Sequence, residues 1–224
     1  MLYSIDAVRD NIRNREGKRV FYLGRGDQLT SAARDYLSRE RIEILPAEQA
    51  KPERYRLLGG GYLEEKPEHM THLNGDILVP KTHPRIVLRG MVDGLEAELL
   101  LCCGSATGDI RQGLEEALAF VRQLLRHEVL DEPVTELTLG GLTEQELRQR
   151  SHRPQDFYNQ PHFMPGPGDG ELLLQINRAR SLARQTELAA VNAFPTGRED
   201  LLQGFNRLSS YLYLLMIRLK AMKN

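Results

Sequence analysis

The feature that most restricts the fold is a helical period of apolar residues that runs from Arg85 to about residue 221. Apolar side chains recur there every three to four positions, as they do along one face of an α-helix. Amphipathic helices joined by short connections pack as a bundle. Gly104 is expected to end the first helix. The pattern predicts a mainly α protein, a helical bundle with about five helices, at 85–103, 108–130, 143–150, 170–194 and 199–221.

The first 60 residues follow a different pattern and predict a small N-terminal α/β appendage. RVFYLG (19–24) and RIEIL (41–45) have the composition of short strands, and SAARDYLSRE (31–40) is helical, with Thr30 as its N-cap. Before them, an amphipathic helix docked on its own domain is expected to carry the apolar residues Leu2, Ile5, Val8 and Ile12.

Glycine and proline dominate the segment that precedes the bundle. Residues 51–84 contain four Pro and four Gly, which favours irregular structure with space for a short hairpin. The predicted organisation is therefore an appendage at 1–60, a linking segment at 61–84 and a bundle domain at 85–224.

The overall composition excludes several classes of protein. The net charge is −1, so no large basic surface is available for nucleic acid. No apolar run approaches the ~18 residues that a membrane span needs, and the N-terminal segment lacks the apolar core of a secretory signal. Two adjacent cysteines, Cys102 and Cys103, are too few for a disulfide framework and are expected in the core of a protein from a reducing compartment.

Charged residues occur inside the apolar stripe of helix 170–194. Arg180, Arg184 and Glu187 lie within or at the edge of the stripe that contains Leu173 and Ile176. A buried charge needs a partner or a ligand. Two explanations stay open: an internal salt-bridge network, or a site for an anionic ligand.

Two further helices bring polar groups to the same interior. Asp93 lies on an apolar face of helix 85–103, which predicts a pair between Asp93 and Arg180 across the bundle. Asn206 lies with Ser210 and Tyr213 on one face of the last helix, which is apolar on its other sides. Two arginines with an asparagine suit an anionic ligand with a hydrogen-bonding head, such as a nucleotide triphosphate.

At this point the chain resembles a known family, the ATP:cob(I)alamin adenosyltransferases. Four segments are similar to motifs of the propanediol-utilisation type: PRIVLRGMVDGLEA (84–97), HFMPGPG (162–168), RARSLARQTE (178–187) and FNRLSSYLYLL (205–215). The resemblance to the ethanolamine-utilisation type extends further, through LTSAARDYL (29–37) and THLNGDILVPKTHPR (71–85).

The resemblance implies a transferase that moves the 5′-deoxyadenosyl group of ATP to cob(I)alamin, with Mg²⁺ accompanying ATP. Asp93 would pair with Arg180 and shape the nucleotide site. Arg184 and Asn206 would contact ATP, and Glu187 would orient an arginine or help to hold the metal–ATP complex.

The resemblance also assigns residues outside helix 170–194. Segment 61–84 would form the ATP loop, with Thr71 at the position of the family's phosphate-loop threonine and Lys81 at that of a basic residue. Phe163 would lie against the lower face of the corrin ring, although an anchor that holds the loop to the core is an alternative. Segment 151–170 is a long connection rich in Pro, Gly and His, and such loops are often functional.

The chain also departs from the family pattern. The glycine-rich phosphate loop of the family is replaced by KPEHMT at 66–71. The metal-binding cysteines of the ethanolamine type are absent, because no cysteine precedes Cys102, so no metal site is predicted. The loop histidines His83, His152 and His162 are interpreted as polar surface rather than ligands of a metal or of cobalt.

The resemblance further implies a homo-oligomer, an electron-donating reductase as a partner, and a cytoplasmic location, with association with a bacterial microcompartment left open. A di-iron bundle is disfavoured, since no histidine follows a glutamate by three residues. A non-catalytic carrier of corrinoid or nucleotide and a structural protein of a metabolic assembly stay as alternatives.

Overall fold

The computed structural model describes residues 1–15, 17–50 and 55–222. The chain divides into two compact units, Met1–His83 and Pro84–Asn224. The predicted boundaries at 60 and 84 stay a prediction.

Short strands and two helices make up the first unit. The two helices are α1 (Ile5–Asp10) and α2 (Ser31–Arg39). The strands are β1 (Leu2–Tyr3), β2 (Arg13–Arg15), β3 (Lys18–Leu23), β4 (Gln28–Leu29), β5 (Glu43–Pro46), β6 (Tyr55–Leu57), β7 (Tyr62–Leu63), β8 (Met70–Asn74) and β9 (Ile77–Pro80). Seven of the described strands form one mixed sheet in the order β5-β3-β2-β7-β6-β9-β8, and β1 pairs with β4.

The predicted strand–helix–strand pattern of the first unit is present. The side chain of Thr30 caps α2 by accepting from the backbone N–H of Ala33 at 3.2 Å. Phe21 of β3 packs with Leu37 of α2 in a small apolar core.

The N-terminal helix is shorter than predicted. Val8 is buried, so α1 is docked as expected, but Leu2 lies in β1 and Ile12 follows the helix. The helix ends because Asn11 caps it, and the side-chain amide of Asn11 donates to the carbonyl of Ala7 at 2.8 Å.

Residues 55–80 contain more strand than their composition predicts. Strands β6 and β7 are antiparallel, as are β8 and β9. Gly61 makes the first turn possible, since its φ is +85° and a Cβ there would lie 2.6 Å from the carbonyl oxygen of Ile12. The glycines that favoured irregular structure therefore serve tight turns between short strands.

The second unit is a helical bundle, as predicted. Its helices are α3 (Pro84–Ser105), α4 (Gly108–Leu130), α5 (Glu144–His152), α6 (Pro154–Tyr158), α7 (Glu171–Ala193) and α8 (Glu199–Ala221). The long helices form a ring in which α3 contacts α4 and α7, and α8 contacts α7 and α4. The short helices α5 and α6 pack against α8. One apolar core fills the ring.

Two local predictions in this unit have different outcomes. Gly104 does not end α3, because the helix continues to Ser105 and the chain turns at Gly108, where φ is +55°. Cys102 and Cys103 are buried in the bundle core, as predicted, and both are free thiols.

Candidate functional site

Two adjoining pockets open on the helical unit. The first, here called the polar pocket, has a volume of about 390 Å³ and is lined by Ser151, His152, His162, Arg180, Arg184, Ser209, Ser210 and Tyr213. The second, the loop pocket, has a volume of about 560 Å³ and is lined by His162, Phe163, Met164, Pro165, Asn177, Arg180, Tyr213 and Met216. The two share His162, Arg180 and Tyr213, and all of these lining residues belong to the continuous segment 151–216.

Arg180 lies between the two pockets. It is half-buried, and its guanidinium donates from Nε and Nη2 to the amide oxygen of Asn177 at 3.3 and 3.2 Å. The same group lies 6.0 Å from the ring centroid of Tyr213. Burial and the nearby guanidinium of Arg184 both lower the pKa of Arg180. Among the described residues, no carboxylate forms an ion pair with Arg180.

The predicted pair between Asp93 and Arg180 is therefore not formed within the described chain. Asp93 is exposed on α3. The buried positions of α3 include Val92 and Leu95, so the helix turns Asp93 towards solvent. The sequence pattern misplaced the apolar face, since Leu100, which shares the face of Asp93, is 51% exposed.

Arg184 is exposed and lines the polar pocket beside Arg180. The alternative of an internal salt-bridge network would pair Arg184 with Glu187, and no such ion pair is present in the part of the chain that the structure describes. No Asp or Glu lines the polar pocket, where the two guanidiniums are accompanied by two histidines, three serines and a tyrosine. Such a cationic pocket without a carboxylate is suited to an anion.

Glu187 instead joins α7 to α8. Asn206 donates from Nδ2 to Oε1 of Glu187 at 2.9 Å. The hydroxyls of Ser209 and Ser210 both donate to the backbone carbonyl of Asn206, at 2.9 and 3.4 Å. Asn206 is thereby held at a fixed point on α8, one turn from the polar pocket.

Phe163 lies at the loop pocket, where the connection 161–166 passes α8. The side chain is half-buried and packs against the bundle core. Its backbone N–H donates to the hydroxyl of Tyr213 at 3.3 Å, and the amine of Lys220 lies 5.5 Å from its ring centroid. Phe163 thus has contacts that suit a loop anchor and also faces a pocket.

Thr71 and Lys81 belong to the first unit. Thr71 lies in β8 opposite Val79, and Lys81 is exposed, with its amine 2.8 Å from a carboxylate oxygen of Glu68. Segment 66–71 borders a further cavity of about 550 Å³ within this unit, whose lining includes Lys66, Pro67, His69 and Met70.

Sequence reasoning missed part of the pocket lining. Ser209 was not singled out, and Tyr213 was noted only as polar. The spacing of Asn206, Ser209, Ser210 and Tyr213 is the signal that could have identified them, because it places all four on one helix face.

Two features are absent from the described residues. No helix among them is both long enough and apolar enough to span a membrane. No group of three or more His, Cys, Asp or Glu in residues 1–15, 17–50 and 55–222 is arranged to hold a metal ion.

Comparison with known proteins agrees with the motifs. Residues 61–219 match the model of the family described as cobalamin adenosyltransferase. Corrinoid adenosyltransferase EutT of Salmonella typhimurium is 31% identical over 158 residues, a match that covers 68% of this chain and 59% of the relative. EutT of Escherichia coli K12 is 31% identical over 165 residues, with the same coverage. The chain thus matches 59% of the length of these curated relatives.

Solved structures support the fold. A variant of a PduO-type ATP:corrinoid adenosyltransferase from Lactobacillus reuteri, complexed with cobalamin and ATP, superposes with a TM-score of 0.54 at 18% identity. The match covers 70% of this chain and 91% of that one. Another variant of that protein, complexed with ATP, gives a TM-score of 0.53 at 19% identity. From the family match, the identity to EutT and the shared fold, we conclude that this chain belongs to the cobalamin adenosyltransferase family.

Proposed function

We propose that the protein transfers the 5′-deoxyadenosyl group of ATP to cob(I)alamin, forming adenosylcobalamin and releasing triphosphate. The observation that carries the proposal is the pair Arg180 and Arg184 in a pocket without a carboxylate, next to the loop pocket that contains Phe163. Membership of the family supplies the class of reaction.

The reaction is a displacement at carbon. The electron pair of Co(I) forms a bond to C5′ of ATP while the bond from C5′ to the triphosphate oxygen breaks, and cobalt becomes formally Co(III). Co(I) is a strong nucleophile, so the protein need not activate it. The protein's contributions are to align C5′ and to stabilise the charge of the leaving triphosphate.

The ATP side of the site is assigned to α7, which contains Arg180 and Arg184, and to α8. Arg184, exposed beside Arg180, would donate to phosphate oxygens. Asn206 would contact the nucleoside, with its side-chain amide oriented by Glu187. Thr71 and Lys81 are proposed as phosphate contacts, as the family resemblance implies, and Lys81 would leave Glu68 for this.

Mg²⁺ is proposed to accompany ATP. Mg²⁺ is usually held by phosphate oxygens, waters and one or two carboxylates, and the half-buried carboxylate of Glu187, three residues after Arg184 on α7, is the one that we propose for it. When bound, the ion would neutralise charge on the triphosphate.

The corrinoid side is assigned to the loop pocket. Reduction of Co(II) to Co(I) is difficult while a lower axial ligand is bound to cobalt. Phe163, on the loop that passes α8, would present an apolar ring that excludes water and other lower ligands. The anchoring contacts of Phe163 are compatible with this role, because a wedge must itself be fixed.

A homo-oligomer is part of the proposal. Asp93 shares its exposed face of α3 with Leu100, and further apolar side chains are exposed on α3 and α7: Val87, Leu101, Leu188 and Val191. A second copy of the chain that covers this surface would bury apolar area and could supply the ionic partners that Asp93 and Arg180 lack within one chain. A reductase partner, a cytoplasmic location and a role in ethanolamine utilisation are also proposed.

The test is an anaerobic assay with chemically reduced cobalamin, ATP and Mg²⁺, in which absorbance follows formation of the cobalt–carbon bond. We expect a light-sensitive product that requires ATP. Binding of both ligands without product would favour the alternative of a non-catalytic carrier of corrinoid or nucleotide, which the altered segment 66–71 keeps open. Binding of neither ligand would contradict both functions.

A further inference from the structure

A continuous hydrogen-bond chain connects the Phe163 loop to α8 and α5. The backbone N–H of Phe163 donates to the hydroxyl oxygen of Tyr213 at 3.3 Å. That hydroxyl lies 3.0 Å from Nδ1 of His162, and Nε2 of His162 lies 3.2 Å from the backbone carbonyl of His152. This chain of hydrogen bonds lies in the wall that the polar pocket and the loop pocket share.

The chemistry of the groups fixes the direction of each hydrogen bond. The carbonyl of His152 can only accept, so Nε2 of His162 carries the proton and Nδ1 of the neutral ring accepts. The hydroxyl of Tyr213 therefore donates to Nδ1, and its oxygen accepts from Phe163. With this tautomer, every donor in the chain has an acceptor, and a phenylalanine at 213 would remove two of the three bonds.

Ring contacts hold the same residues side by side. The ring of His162 stacks on that of Tyr213 at 5.7 Å with an interplanar angle of 10°. The ring of Phe163 lies 6.2 Å from that of Tyr213 at 25°. The ring of Tyr213 therefore packs against both loop side chains, while its hydroxyl sets their position along α8.

We propose that Tyr213 is a positioning residue, whose hydroxyl fixes the Phe163 ring at the face of the corrinoid so that a lower ligand is excluded. This deepens the proposed function and rests on it for the catalytic readout. Tyr213 acts through Phe163 and is not itself required to touch a reacting atom.

A second anchor keeps the loop attached when the hydroxyl is removed. Asp169 pairs with Lys220 of α8 and accepts from the backbone N–H of Gly166 at 2.7 Å. The substitution Tyr213→Phe therefore frees the Phe163 end of the loop without detaching its Asp169 end. The matched control is Tyr211→Phe, on the same helix, whose hydroxyl donates to Glu116 at 3.1 Å and lines neither pocket.

The first experiment compares two starting states of cobalt in the full-length variant. In assays that begin with Co(II) and a reductant, we expect Tyr213→Phe to lower the rate about tenfold, the effect of losing the two hydrogen bonds. With Co(I) prepared in advance, the rate should fall by about twofold or less, since the wedge acts on reduction. The spectrum of bound Co(II) cobalamin with ATP should show more of the form with a lower ligand. An equal loss in both assays would overturn the proposal.

The second experiment tests whether Tyr213 acts through Phe163. Phe163→Ala should itself slow the assay that begins with Co(II), and adding Tyr213→Phe to it should change the rate by less than about twofold. Independent, multiplying effects would contradict the proposal, as would a normal rate in Phe163→Ala.

A third measurement needs no ligand. Amide hydrogen exchange of the peptide that contains Phe163 should be several-fold faster in Tyr213→Phe and unchanged in Tyr211→Phe. If the wild-type protein makes no adenosylcobalamin, the proposed function fails while this measurement still tests the anchoring. If the wild type is active and exchange at Phe163 is unchanged, the role of Tyr213 is wrong and the function stands.

Discussion

Two groups of arginines in the helical unit are built in opposite ways. In the first, here called the closed cluster, Arg85 and Arg89 of α3 both donate to the buried carboxylate of Glu128 on α4, and Arg198 pairs with Asp200 at 3.0 Å. The ring of Phe194 lies within 5.2 Å of the Arg85 guanidinium and 5.7 Å of that of Arg198. In the second, the open cluster, Arg180 and Arg184 face the polar pocket, and neither is paired with a carboxylate within the described chain.

The presence or absence of a carboxylate partner separates structural from functional arginines. In the closed cluster every arginine is paired with a carboxylate inside the protein, so the group holds helices together and has little capacity for a ligand. In the open cluster the charges remain available, since the hydrogen bonds of the Arg180 guanidinium within the described residues go to the neutral amide of Asn177. Burial alone would not have distinguished the two, because Arg180 of the open cluster is partly buried, as are the arginines of the closed cluster.

The strongest test of the closed cluster is Glu128→Gln. The change leaves two partly buried guanidiniums without their carboxylate, and we expect the free energy of unfolding to fall by about 3–5 kcal/mol. Urea unfolding measures it. The matched control, Glu115→Gln, removes the exposed partner of Arg111 and should cost less than about 0.5 kcal/mol. A loss below about 1 kcal/mol in Glu128→Gln would show that the cluster is not structural.

The corresponding test of the open cluster is Arg184→Ala. The loss of a charged contact to phosphate should lower kcat/KM for ATP about a hundredfold, or about 2.7 kcal/mol in the transition state. The free energy of unfolding should change by less than about 0.5 kcal/mol, since the side chain is exposed and has no ion pair among the described residues. Arg111→Ala serves as the exposed control. Normal turnover in Arg184→Ala would remove Arg184 from the site.

The substitution Asp93→Asn tests whether a second copy of the chain supplies an ionic partner to the open cluster. Within one chain Asp93 has no ion pair among the described residues, so the free energy of unfolding should change by less than about 0.5 kcal/mol. The rate of adenosyl transfer should fall by about tenfold, because the proposed partner lies on a second copy of the chain. Unfolding measured below the protein concentration at which copies associate separates the stability of a single chain from the effect of association. A large loss of stability there would mean that Asp93 is paired within its own chain.

The smallest effect concerns the core that supports both clusters. Burial raises the pKa of the Cys102 thiol to about 12, and it also raises the pKa of Cys103. At pH 8 the thiolate fraction of Cys102 should be on the order of one in ten thousand. We expect a disulfide reagent to leave both thiols unmodified in the folded protein and to label both in concentrated guanidinium chloride. Rapid labelling of the folded protein would show that the core opens readily.

The helices were predictable because their signal is long and repeated. Helix α7, predicted at 170–194, is observed at Glu171–Ala193, and α8 begins and ends at the predicted residues. Strands β6 to β9 were not predictable, because each is two to five residues long and lies among the glycines and prolines that make its turns. A signal of two alternations is too short to be distinguished from a loop.

The sequence predicted the types of residue at the site better than it predicted the contacts between them. Arg180 and Arg184 were singled out, and the structure places both in one pocket. The orientation of Asp93 was wrong because one residue along a helix is a rotation of about 100°, enough to move a side chain from the core face to solvent. The closed cluster was missed altogether, since nothing in the local pattern of α4 marks Glu128 as the partner of arginines some forty positions earlier.

Both pockets are lined from segment 151–216 alone, although α3 and α4 complete the bundle. For the history of such a protein this means that the pocket walls can be inherited as one uninterrupted piece of coding sequence. Recombination between relatives within α3 or α4 would leave the arginines, the Phe163 loop and the Tyr213 chain together. Apart from Asp93, Arg85, Arg89 and Glu128, the α3–α4 hairpin has to keep an apolar surface that fits α7 and α8, so the rest of its sequence is free to diverge faster than the segment it supports.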